Sequence, residues 1–129
     1  MRRATVLIAD DNPEWRTVIA GLFEGRYQVL GFVASGDEVV TRAVSLQPDI
    51  ITLDISMPGK SGLNLLPELR IAVPNAAIII LTTTPTKIYM DEAYRRGADG
   101  YVLKRKVRSD LLPAVEQAVV LGRLRASGA

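Results

Sequence analysis

Five side chains suited to polar chemistry stand at the ends of short apolar, β-branched runs. Asp10 and Asp11 follow Thr5–Ala9, Asp54 follows Asp49–Leu53, Thr82 follows Ala77–Leu81, and Lys104 follows Gly100–Leu103. Only the run Gln28–Val33 ends without a reactive group, at Ala34 and Ser35. Carboxylates brought together repel one another and raise each other's proton affinity unless a cation joins them. With oxygen ligands only, the expected ion is Mg2+, held octahedrally with several waters retained. Such an ion neutralises an incoming phosphoryl group that an acidic pocket would otherwise repel. A carboxylate can then act as nucleophile and form an acyl phosphate. A lysine ammonium and a threonine hydroxyl are suited to hold the remaining phosphoryl oxygens.

Each residue also has an ordinary structural reading. An aspartate after a strand is often a turn former or N-cap, and Asp11 or Asn12 could serve a following helix that way. Lys104 could be a solvated lysine, and Thr82 a strand-ending residue of high β propensity. Singly, those readings suffice. Four coincidences at one edge of one sheet require that the elements deliver them there.

The runs have the pattern such delivery needs. "VLIA" and "AIIIL" are apolar without alternation, as strands buried on both faces of a parallel sheet are. Between them lie segments of helical spacing. The first has Asn12 as N-cap, Pro13 in the first helical position, and an expected buried stripe of Trp15, Val18, Ile19, Leu22 and Phe23. The second opens Ser35-Gly36-Asp37-Glu38, a capping-box pattern, and is expected to bury Val39, Val40, Ala43 and Val44. The third, roughly 62–73, contains Pro67, which predicts a late or irregular start. The fourth ends Arg95-Arg96-Gly97, cations in the last turn followed by a glycine free to take the left-handed cap. The fifth, roughly 109–124, has Pro113 near its start, where proline is better tolerated. Strand–helix alternation repeated five times predicts right-handed crossovers and an open α/β sheet. Ligands of such sheets bind outside the carboxyl ends of the strands, at the topological switch point. In the order 2-1-3-4-5, strands 1, 3, 4 and 5 are contiguous and their terminal residues converge.

Composition narrows the alternatives. A chain of 129 residues with 48% hydrophobic and 23% charged residues is one ordinary globular domain. The net charge of +2 is no mark of a dedicated polyanion binder, and the absence of histidine removes the commonest general base and zinc ligand. No cysteine is present, which excludes disulfides and thiolate chemistry. The apolar stretch after Arg2 and Arg3 stops at Asp10, too short for a signal core or a membrane span, so a cytoplasmic protein is expected.

The fragments "LIADDNP", "PDIITLDISMPGKSGL", "IIILTTT" and "GADGYVLK" occur in order and at characteristic separations. Together they resemble the receiver domain of bacterial two-component response regulators, from about Thr5 to Leu121. The resemblance implies a flavodoxin-like receiver fold, a doubly wound five-stranded parallel sheet with five helices. It implies Asp54 as phosphoryl acceptor from a sensor histidine kinase or phosphotransfer protein, with no catalysis on a separate substrate. Asp11 matches the carboxylate that binds Mg2+ directly and Asp10 its partner; the backbone carbonyl of Ser56 matches a further metal ligand, and Mn2+ can substitute. Lys104 matches the phosphoryl-binding lysine, Thr82 the switch hydroxyl and Tyr101 the aromatic switch residue. The signal would pass to an output domain or downstream protein, with homodimerisation on phosphorylation allowed. The expected domain spans 1–124, followed by a frayed tail, 125–129.

Three departures stand out. Arg105 follows Lys104 where the family often has a cis proline. A cis bond without proline costs about 3–4 kcal/mol, so a trans peptide and a differently shaped loop are expected. Thr83 replaces the family's frequent Ala or Gly, and Ser61 a frequent acidic residue or Asn. Among other readings, a nucleotide or flavin binder lacks its glycine-rich turn after the first strand. A self-sufficient DNA binder has only the basic run Lys104–Arg108 and no spare helix pair. No direct nucleic-acid or membrane contact is therefore expected. Two readings within the family stay open: the receiver half of a helix-turn-helix regulator, and a docking module that is never phosphorylated.

Overall fold

The computed structural model describes residues 3–126. Five strands, β1 (Thr5–Ala9), β2 (Gln28–Val33), β3 (Ile50–Asp54), β4 (Ala77–Thr82) and β5 (Gly100–Leu103), alternate with five helices. The helices are α1 (Pro13–Phe23), α2 (Gly36–Leu46), α3 (Gly62–Ala72), α4 (Lys87–Arg95) and α5 (Val107–Ala126). All pairings are parallel and the order is β2-β1-β3-β4-β5, as the sequence implied.

Alternation along the central strands sorts their side chains into two cores. Leu7, Ala9, Ile51, Leu53, Ile78 and Ile80 face α2 and α3. Val6, Ile8, Ile50, Ile79, Leu81 and Val102 face α1 and α5. β1, β3 and β4 are buried along their whole length, which is why they read as continuous apolar runs. The register carries two of the candidate site residues into the ladder: Asp54 pairs with Leu81, and Thr82 with Leu103. Both are the last residues of their strands, so a rigid sheet sets their position.

The helix punctuation acts largely as read. The Asn12 side chain accepts from the N–H groups of Glu14 and Trp15, and Pro13 opens α1. The Ser35 side chain accepts from Asp37 N–H at α2. Gly97, at φ 119°, follows the α4 C-cap Arg96. Several expectations need correction. Pro67 lies inside α3, which starts at Gly62 without delay. Proline there leaves the Leu63 carbonyl without its helical donor. The Arg96 guanidinium donates to that carbonyl from the C-cap of α4 at 3.4 Å, and to Asn64 Oδ1 at 2.8 Å. Pro113 likewise lies in the interior of α5, because that helix already begins at Val107. Val44 is half exposed, since the α2 stripe in contact with the sheet is Val39 and Ala43. Of the α1 stripe only Ile19 and Phe23 are fully buried. The α5 helix runs through Ala126, and of the tail expected at 125–129, residues 127–129 lie outside the described residues. No described helix is long and apolar enough to cross a membrane.

Candidate functional site

β1, β3 and β5 are brought side by side or nearly so, and their carboxyl ends deliver the charged groups to one place. Each of Asp10, Asp11 and Asp54 offers a carboxylate oxygen within 4.8 Å of the others. Asp10 and Asp54 are buried, whereas Asp11 faces solvent. Asp10 is fixed by its backbone, whose N–H donates to Val33 carbonyl at 2.9 Å, and by Asn12 N–H, which donates to its Oδ1 at 2.9 Å. Asn12 thus turns the chain from β1 into α1 while capping that helix. Ser56 N–H donates to Asp54 Oδ1 at 3.0 Å, which folds the β3–α3 loop back over the carboxylate.

Lys104 reaches into the same space from the end of β5. Its Nζ lies 2.8 Å from Asp10 Oδ2 and 3.2 Å from Asp54 Oδ2, with the side chain only 6% exposed. The backbone beyond it forms a 3-10 turn, Lys104–Lys106, and no described peptide bond is cis, in agreement with the trans Lys104–Arg105 bond expected without proline. The rest of the basic run diverges from the site: Arg105, Lys106 and Arg108 are exposed, and Val107 is buried. The Trp15 ring, one turn along α1, lies with its centroid 5.1 Å from Lys104 Nζ.

Electrostatics follow from burial. Desolvation raises the pKa of Asp54 above its ordinary value, and the Asp10 charge adds to this; Ser56 N–H and the Lys104 ammonium oppose it. Asp10 Oδ2 is buried without a hydrogen bond, so its approach to Lys104 is a contact of charges alone. One ammonium for three carboxylates leaves an excess of negative charge. Hard oxygen donors, a buried carboxylate oxygen that meets the Lys104 ammonium but takes no hydrogen bond, and a solvent-facing third carboxylate fit a divalent cation such as Mg2+.

Thr82 is buried at the end of β4, and its Oγ1 accepts from Thr84 N–H at 3.0 Å. The half-buried Tyr101 donates its hydroxyl to the Thr84 carbonyl at 3.0 Å. Burial raises the Tyr101 pKa, and the Thr82 hydroxyl opposes that rise. Thr84 therefore ties Thr82 and Tyr101 together through its backbone. Nothing in the sequence marks Thr84 for this role, because backbone groups carry no signature in residue type. Ser61 stands at the N-cap of α3 but makes no side-chain capping bond.

The loop after Asp54 is pinned from a second side. Gly36 N–H at the start of α2 donates to the Pro58 carbonyl at 3.0 Å. A methyl group at Gly36 would overlap the Lys60 carbonyl oxygen and come within 2.9 Å of its carbon. The glycine in Ser35-Gly36-Asp37-Glu38 thus permits the close approach of loop to helix, a requirement that a capping pattern does not reveal.

Comparison with known proteins agrees with this geometry. Residues 6–116 match the response regulator receiver domain. The chain is 38% identical over 117 residues to the nitrate/nitrite response regulator protein NarL of Escherichia coli (strain K12), covering 89% of this chain and 54% of NarL. It is 33% identical over 100 residues to the chemotaxis protein CheY of Thermotoga maritima, covering 77% of this chain and 83% of CheY. Among solved structures, the response regulator domain of Thermotoga maritima CheB superposes with a TM-score of 0.83 at 30% identity, covering 92% and 97% of the two chains. A LuxR-family DNA-binding response regulator from Staphylococcus aureus gives 0.82 at 28% identity, covering 90% and 98%. The chain spans about half the length of the NarL-type relatives it matches. The acidic pocket, the 2-1-3-4-5 sheet that builds it and the match over nearly the whole chain place this protein in the family of response regulator receiver domains.

Proposed function

We propose that this chain is a phosphorylation-controlled receiver, with Asp54 accepting a phosphoryl group from the phosphohistidine of a sensor kinase or phosphotransfer protein. The observation that carries the proposal is a buried, sheet-anchored carboxylate with Lys104 Nζ at 3.2 Å and two further carboxylates in reach. An Asp54 oxygen forms the new bond to phosphorus as the donor nitrogen–phosphorus bond breaks, and the electron pair leaves with the imidazole. A Mg2+ ion held by Asp10, Asp11, Asp54 and the Ser56 carbonyl, with Mn2+ able to replace it, would supply the positive charge that lets the dianionic group approach. Asn12 N–H and Ser56 N–H orient the Asp10 and Asp54 carboxylates. Lys104 holds one phosphoryl oxygen and exchanges part of its contact with Asp54 for the product.

Transmission runs through Thr84. A phosphoryl group on Asp54 offers new acceptors to the Thr82 hydroxyl, which now accepts from Thr84 N–H. Drawing Thr82 inward loosens Thr84, and with it the carbonyl that holds the Tyr101 hydroxyl. The ring then turns, and the surface around Ile88, Tyr89 and Tyr101 changes for an output domain or downstream protein. The greater length of the NarL-type relatives supports such an output domain. Phosphate shifts the two conformations only by its differential affinity; going from about 1:99 to 99:1 takes roughly 5.5 kcal/mol. The cytoplasm, where a kinase and its phosphodonor meet, is the compartment this role requires.

Heteronuclear NMR with a stable phosphoryl mimic and Mg2+ tests the reading. Shifts are expected at Asp54, Thr82, Thr84, Tyr101 and along α4. Changes confined to the carboxylate pocket would remove the switch from the proposal, and no change at all would remove the acceptor.

A further inference from the structure

Among the described residues, Lys104 pairs with two carboxylates and one aromatic ring. Its ammonium meets Asp10 and Asp54 at 2.8 and 3.2 Å, and the Trp15 ring faces it from α1 at 5.1 Å. Trp15 is itself held in place. Its backbone N–H donates to Asn12 Oδ1 at 3.1 Å, and Asn12 is the same residue whose N–H orients Asp10. The side chain is half-buried and packs against the α1–α5 core, which restrains the ring beside the site. Lys104 itself opens a 3-10 turn at the edge of the sheet and carries its ammonium on a flexible aliphatic stem. A flexible lysine in an acidic pocket would otherwise collapse onto whichever carboxylate is nearest. The Trp15 π face adds an attraction for the ammonium that comes from α1 and not from a carboxylate.

We infer that Trp15 is a positioning residue for Lys104, its indole face keeping the ammonium poised where a phosphoryl oxygen on Asp54 arrives. The effect of Trp15 on phosphoryl transfer rests on the role proposed for Asp54; the Trp15–Lys104 contact does not. An aromatic ring is what the role needs, so Trp15→Phe retains most of it and Trp15→Leu, similar in apolar character, does not. Loss of the ring contact is expected to slow phosphorylation of Asp54 by about threefold to tenfold, the range of a partly desolvated cation–π contact.

The test uses the full chain as wild type, Trp15→Phe and Trp15→Leu, each shown folded by its thermal unfolding. The Lys104 side-chain methylene resonances are measured without phosphodonor, and the phosphorylation rate with a small acyl-phosphate donor at saturating Mg2+. The expected result is an upfield ring-current displacement of the Lys104 ε-methylene in wild type and Trp15→Phe that vanishes in Trp15→Leu. The rate should be nearly unchanged in Trp15→Phe and reduced in Trp15→Leu. Lys104 resonances indifferent to removal of the ring, or a folded Trp15→Leu phosphorylated at the wild-type rate, would overturn the inference. If no variant is phosphorylated, wild type included, the role of Asp54 fails, whereas the resonances still decide whether Trp15 holds Lys104.

Discussion

Replacing Gly36 by alanine sets two effects of opposite sign against each other. Gly36 opens α2, and alanine is favoured over glycine within helices by roughly 1 kcal/mol, so propensity alone forecasts a more stable protein. The packing forecasts the reverse. The added methyl overlaps the Lys60 carbonyl oxygen and lies within 2.9 Å of the carbonyl carbon, and these are backbone atoms that cannot rotate away. Overpacking of this kind costs about 1–3 kcal/mol. Moving the loop also breaks the buried Gly36 N–H bond to the Pro58 carbonyl, which costs about 1–3 kcal/mol more. The net expectation is a loss of about 3 kcal/mol, or a Tm lower by about 12 °C for a chain of this size. Because the displaced loop carries Met57–Lys60 directly after Asp54 and Ser56, affinity for Mg2+ should fall as well. Urea denaturation of wild type and Gly36→Ala, with and without Mg2+, measures both. A variant as stable as wild type, with unchanged Mg2+ stabilisation, would refute the argument that the loop is clamped against α2.

Other perturbations have simpler outcomes. Arg96→Ala should lower stability by about 1 kcal/mol in denaturant melts, because it removes donors to Asn64 and to the Leu63 carbonyl that Pro67 exposes. Glu92, whose carboxyl is held below its ordinary value of 4.5 chiefly by the Arg96 bond, contributes stability above that value that is lost as pH falls through its folded pKa. Acid titration of stability should therefore be shallower in Arg96→Ala than in wild type. In chelator at neutral pH, Asp54→Asn should melt higher than wild type, since burial raises the Asp54 pKa and makes its ionised form costly in the folded state. That gain should disappear below the ordinary carboxylate value of 3.8, where the carboxyl is neutral in both states. The isolated chain, with its net charge of +2, should bind DNA only weakly and lose that binding as salt is added; a salt-resistant, sequence-dependent band shift would contradict this.

What the sequence made legible, and what it hid, divides along physical lines. Apolar, β-branched runs advertise strands, and β1, β2 and β5 fall on the expected residues, although only β1 of the three is buried on both faces. β3 and β4 each reach one residue further, through Asp54 and Thr82, because ladder pairing is a backbone matter indifferent to side-chain polarity. Asp10 and Asp11 are readable as a pair, but only the fold distinguishes the buried one from the exposed one. Pro67 reads as a helix breaker while its neighbours alone are considered. Arg96, far along the chain, supplies a donor for the carbonyl that the proline strands, and α3 runs through Pro67 uninterrupted. Thr84, likewise, works through N–H and carbonyl groups that every residue but proline possesses. Local pattern thus reveals what faces the core and what ends a strand. It is silent where distant partners or main-chain atoms decide.

The central claim, that Asp54 accepts a phosphoryl group in a divalent-cation-dependent reaction, is tested most directly by intact-mass spectrometry after incubation with a small acyl-phosphate donor. Wild type with Mg2+ should gain the mass of one phosphoryl group, and wild type in excess chelator and Asp54→Asn with Mg2+ should gain none. An unchanged wild-type mass with a donor proven active, or equal labelling of Asp54→Asn, would contradict it.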